Sequence, residues 1–131
     1  MIEVVPRHRD LDQRALRVFL KAIDLLGGPR GLVEHRRVTW LPSLMEAAYA
    51  VILAEEGKKG PDEIARFLGL SRAAVRHMLT ASPQAALERL EAGPAHDLHR
   101  RTHVAGALAR RAWHELAREE SAGPEGRPAA F

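Results

Sequence analysis

The stretch GPDEIARFLGLSRAAVRHML, Gly60 to Leu79, constrains the fold of this chain more than any other. It meets in order the needs of a short helix, a tight turn and a second short helix. Gly60-Pro61-Asp62-Glu63 starts a helix. Proline suits the first helical position, where no amide hydrogen is needed, and the two acids face the positive end of the helix dipole. Ile64 and Leu68 stack one turn apart toward a core, and Ala65 is small where two helices cross. Gly69 stands where the turn needs a positive φ, which costs a residue with a side chain about 1 kcal/mol or more. Leu70 tucks under the turn, and Ser71 is a natural N-cap for the next helix. Val75 and Met78 give that helix its apolar face. The pattern predicts helices over 61–68 and 71–80, joined as a helix-turn-helix.

The rest of the chain is helical by periodicity. Leu11, Ala15, Val18, Phe19, Ala22, Ile23 and Leu26 fall on one face of a helix over 11–26. Asp10 caps its start and Gly27-Gly28-Pro29 ends it. Pro29 to Thr39 is polar and basic and is expected to be a connection. A helix over 42–56 begins at Pro42 or Ser43 and buries Leu44, Ala47, Ala48, Val51 and Ile52. Gly57 follows it, where a left-handed C-cap is wanted. Ser82-Pro83 opens a helix over 83–92 that Gly93 stops. The longest helix, 95–119, has a stripe of Leu98, Ala105, Leu108, Ala109, Ala112 and Leu116, small enough for close approach of another helix. No segment alternates as a strand would. The expected fold is all-α, a helical bundle forming one domain over 1–120, with SAGPEGRPAAF (121–131) as a disordered tail.

Composition narrows the function classes. The longest apolar run, AAYAVILA at Ala47 to Ala54, falls far short of the roughly 20 residues a membrane span needs, so no membrane is expected as a partner. No cysteine is present. That removes disulfides, thiolate zinc sites and cysteine nucleophiles, and fits a cytoplasmic chain, as does the lack of a signal-peptide pattern. The net charge is only +3, from 20 basic and 17 acidic side chains. A nucleic-acid contact would therefore be a local patch and not a basic stripe along the molecule.

The outward residues of the 71–80 helix are Ser71, Arg72, Ala73, Arg76, His77 and Thr80. In a DNA-reading helix-turn-helix the second helix enters the major groove, and its N-terminal residues meet base edges. Arg72 and Arg76, one turn apart, can each donate two hydrogen bonds to a guanine or pair with phosphate. Ala73 can touch a thymine methyl. Lys58, Lys59 and Thr80 are candidates for phosphate contacts, which position without reading sequence. The competing expectation is a helix-turn-helix that docks on protein, with Arg72 and Arg76 as solvated surface.

Three segments, TWLPSLMEAAYAVILAEE, DEIARFLGLSRAAVRHML and HVAGALARRAWHEL, resemble a small family of regulatory domains. That family is found mainly in archaea and some thermophilic bacteria, and its genes neighbour those of KaiC-like ATPases. It is similar around its two short helices to region 4 of sigma factors. The resemblance covers about Thr39 to Leu116, with HVAGALA its most distinctive part. It implies regulation, a DNA-binding role and a KaiC-like ATPase as functional partner, and it supplies no catalytic residues.

Other constellations are weaker. His96, His99 and His103 share a helical face and could hold zinc or nickel, but helical spacing alone makes such coincidences common. His114-Glu115 begins a zinc-protease motif that fails at Arg118, where the second histidine is required. Gly27, Gly28 and Gly31 lack the lysine and hydroxyl of a phosphate loop. Trp40 and Trp113 suit core packing. Arg100-Arg101 and Arg110-Arg111 suit a solvated face or a phosphate-contacting flank, and Arg7, Arg9, Arg14 and Arg17 a basic arm. The chain is expected to be a non-enzymatic, cofactor-free regulator of transcription that binds double-stranded DNA. Homodimers are the common form of such binders, with the 11–26 helix and the small-residue stripe as candidate dimer elements. The alternative is an adaptor or regulator of a KaiC-like ATPase without direct DNA binding.

Overall fold

The computed structural model describes residues 7–34, 41–82 and 98–122. Six helices and no strand make up the described residues: α1 (Arg7–Leu25), α2 (Gly28–Glu34), α3 (Leu41–Glu55), α4 (Pro61–Leu68), α5 (Arg72–Thr80) and α6 (Leu98–Ser121). The chain is an all-α helical bundle, as the periodicities predict. None of these helices is long and apolar enough to cross a membrane.

The long helix α6 runs through the middle, against α1, α3 and α5. Every residue from Val104 to Ala109 is buried, so the helix is enclosed on all sides at that level. Its small side chains make this possible. Gly106 meets the backbone of α5 so closely that a Cβ there would lie 2.3 Å from the Met78 carbonyl oxygen and 2.4 Å from the Met78 Cα. Around this crossing, Leu44, Val51, Ile64, Val75, Met78 and Leu108 are almost fully buried in one apolar cluster with Val18 of α1. The small-residue stripe is therefore spent inside the chain and is not surface for a second copy, contrary to the sequence expectation.

Several boundaries differ from expectation for local reasons. α1 begins at Arg7 and not at 11. The stretch after it, expected as a connection, holds a helix of seven residues, α2. Gly27 and Gly28 take φ of 105° and 69° and turn the chain, and Pro29 falls in the first turn of the new helix. Gly31 packs onto the carbonyl of Leu26, where a Cβ would lie 2.0 Å from the oxygen. A helix so short and glycine-rich has no readable period. After α3 the left-handed residue is Lys58, φ 54°, and not Gly57. Gly57 instead lies against Leu53, whose carbonyl oxygen would be 2.9 Å from an added Cβ. The expected helix over 83–92 lies outside the described residues, as do the start of the expected 95–119 helix and the tail beyond Ala122.

At one end of the bundle a polar network ties α1, the C-terminus of α3 and the C-terminus of α6. The Arg14 guanidinium donates to both carboxylate oxygens of Glu56, at 3.1 and 2.8 Å, and to both of Glu120, at 2.6 and 3.1 Å. The Trp113 indole N–H adds a bond to Glu56 at 3.0 Å. Lys21 pairs with Glu119 at 2.5 Å. Hydrogen bonding to Arg14 holds the Glu56 and Glu120 carboxyls below the usual carboxylate range. Arg14 is therefore a structural clamp and not part of a free basic arm.

Candidate nucleic-acid interface

The two short helices are built as their residues require. Gly60 is extended, φ −84° and ψ 166°, and Pro61 opens α4 without an amide hydrogen to satisfy. Gly69 ends α4 in the left-handed conformation, φ 69° and ψ 30°. The Ala65 carbonyl then accepts from the amides of Gly69 and Leu70 (the latter at 3.0 Å), closing the helix end. Ser71 is extended, and its hydroxyl oxygen accepts from the Ala74 amide at 3.0 Å, capping α5. Val75 and Met78 anchor α5 in the core at 0% and 1% exposure, which fixes the rest of the helix outward.

Ser71, Arg72, Ala73, Arg76 and Thr80 are all exposed on that outward side, and His77 is half-buried. The Thr80 hydroxyl donates to the Arg76 carbonyl at 2.7 Å, so a phosphate contact from Thr80 would require that bond to be exchanged. Arg72 forms an ion pair with Asp62, Nε to Oδ1 at 3.3 Å. Lys59 pairs with Glu63 at 3.7 Å. Among the described residues, Lys58, Arg66 and Arg76 have no acidic partner.

Arg66 belongs to none of the sequence patterns that point to DNA contact. It lies exposed on α4, and its only signal is its position one helix before the turn. Over 57–80 there are five lysines and arginines against two acids, so this short segment carries a local cationic excess as large as the +3 of the whole chain. Arg110 departs from the solvated flank expected of it. Its guanidinium donates to the Ala81 carbonyl at 2.6 Å, tying α6 to the end of α5. Trp113 is half-buried and hydrogen-bonded, as an anchor should be.

Lys58 is held in a left-handed conformation that costs a residue with a side chain about 1 kcal/mol. Lys58→Gly is expected to raise unfolding stability by about 0.5–1 kcal/mol, read from the urea midpoint. A midpoint that falls would mean that the lysine side chain contributes packing that outweighs the strain.

Of the histidine trio, His96 lies outside the described residues, and His99 and His103 fall in the first turns of α6. Among the described residues no group of three histidines or acids is placed to hold a metal ion. No protein-family model, curated protein or solved structure matches this chain.

Proposed function

We propose that the chain is a DNA-binding regulatory protein, acting on transcription, in which α4, the Gly69 turn and α5 form a helix-turn-helix. The observation that carries this is the exposed strip of Arg72, Ala73 and Arg76 on a helix whose opposite side, Val75 and Met78, is locked in the core. A recognition helix needs both properties at once: rigid placement from behind, and solvent-exposed side chains in front. Lys58, Lys59 and Arg66 flank the strip and supply phosphate contacts, while Arg72 and Arg76 read base edges, with Ser71, Ala73, His77 and Thr80 around them.

Binding as a homodimer would place two such helices about 34 Å apart. Of the two candidate dimer elements, α1 keeps apolar surface, at Leu16 and Leu20, 47% and 37% exposed. The resemblance noted above adds a regulatory setting beside a KaiC-like ATPase, and the absence of cysteine fits a cytoplasmic one.

Phe67 of α4 favours a second reading. It is 48% exposed beside Tyr49 of α3, with ring centroids 5.7 Å apart, and an exposed aromatic suits a protein partner. In that reading the chain is an adaptor for a KaiC-like ATPase, and a pull-down from DNA-free extract retains the ATPase. Under the leading reading, Arg76→Ala weakens binding to a duplex selected by the wild-type protein by about 1–3 kcal/mol and relaxes the preference at one base pair. Unchanged affinity in a filter-binding titration would remove Arg76 from base recognition.

A further inference from the structure

Asp62 and Arg72 face each other across the turn between α4 and α5, and neither is required by the core. Their side chains are 69% and 57% exposed. An ion pair so open to water contributes at most a small fraction of the fold's stability, because solvent screens it and ordering two side chains opposes it. Its geometry is nonetheless specific. The carboxylate engages the Nε edge of the guanidinium, at 3.3 Å. The end of the planar fork, where its two terminal nitrogens donate side by side, is a different edge from the Nε–H that the carboxylate approaches. Arg72 is also the first residue of α5, the end of a recognition helix that meets base edges.

We infer that Asp62 is a specificity-determining residue that aims Arg72: it takes the Nε edge and presents the terminal nitrogens to the O6 and N7 acceptors of a guanine. The inference rests on the DNA-reading role proposed above. Three physical consequences follow from the pair. The arginine loses less rotamer freedom on binding, because its head is already held. Exclusion of water at the groove strengthens the Asp62–Arg72 attraction, so the aimed geometry is reinforced when the duplex arrives. The carboxylate also repels phosphate, which discourages Arg72 from settling on the backbone of an arbitrary sequence. Asp62 thus lowers affinity for all DNA slightly and raises discrimination for one base pair. A role confined to the α4 dipole would alter every sequence alike.

The test compares wild type, Asp62→Asn and Arg72→Ala on a random-sequence duplex pool. The duplex recovered by wild type is then titrated beside versions in which each guanine is replaced in turn. Asp62→Asn is expected to bind non-selected duplex about twofold more tightly, having lost one negative charge near the phosphates. At one base pair, the same one that Arg72→Ala affects, it is expected to lose about tenfold in guanine discrimination. Arg72→Ala loses that discrimination and also binds all duplexes more weakly. If Asp62→Asn shifts every duplex by the same factor, the aiming role is wrong while DNA reading stands. If wild-type protein enriches no sequence and binds no duplex even at low salt, the DNA-reading role falls and the aiming role with it.

Discussion

Gly106→Val will destabilise this protein by at least about 3 kcal/mol, beyond the usual cost of overpacking, because the atoms it strikes are backbone and cannot swing aside. A Cβ on residue 106 would lie 2.3 Å from the Met78 carbonyl oxygen, 2.4 Å from its Cα and 2.7 Å from its carbonyl carbon. Relief requires α5 to move away from α6, which opens the cluster around Met78 and Leu108. Gly106→Ala separates this effect from valine's bulk. In an ordinary helix interior, alanine in place of glycine stabilises by about 1 kcal/mol. Here the sign is expected to reverse. A urea denaturation series on both variants checks this, and an alanine variant with a raised midpoint would show that the two helices are less tightly apposed. A folded survivor would also carry α5 displaced, so its affinity for duplex DNA should drop with no side chain of the proposed interface altered.

Arg14→Ala is expected to cost about 2–3 kcal/mol, between the values for exposed and for buried ion pairs, since the partners are a quarter to a third exposed. The loss is large because two carboxylates, Glu56 and Glu120, are left converging on one site without their cation. The same cluster sets a pH dependence. Both glutamates have folded-state pKa values lowered chiefly by hydrogen bonds from Arg14. Their contribution is therefore complete above the unfolded-state carboxylate pKa, and disappears as pH falls through the lower folded-state values. Wild-type stability should decline on acidification through this window, and Arg14→Ala should flatten that part of the curve. Equal slopes for the two proteins would show that the acid sensitivity has another source.

The fold was legible where sequence period and packing coincide. Val18, Ile52, Ile64, Val75, Met78 and Leu108 all sit on predicted apolar faces, and all are buried. Gly69 was legible too, because only a left-handed residue ends α4 and restarts the chain into Ser71 within so few positions. What escaped was set by close approach in three dimensions. α2 exists because Gly31 can lie on the Leu26 carbonyl, a contact with no periodic signature. The strain at Lys58 escaped because the adjacent glycine looked the better left-handed residue, yet Gly57 is needed against Leu53. The small residues Ala105, Ala109 and Ala112 form a stripe whose spacing suits close approach of another helix, of this chain or of a second copy. They do receive other helices, but those of the same chain.

For the candidate interface, the outward residues of α5 followed from its period once Val75 and Met78 were assigned to the core. The partners of those residues did not. Asp62 precedes Arg72 by ten positions, a spacing that means nothing until the turn folds the two helices together. Arg110 likewise looked like surface, because the α5 carbonyl it caps is far away in sequence.

The most direct measurement is the affinity of the full chain for random-sequence duplex DNA across a salt series. Binding at low salt is expected, falling linearly on a log–log plot with a slope of magnitude about 3, from phosphate contacts by Lys58, Lys59 and Arg66. Absence of binding at low salt, or an affinity indifferent to salt, would contradict DNA recognition by α5 and leave the exposed strip as a protein-docking surface.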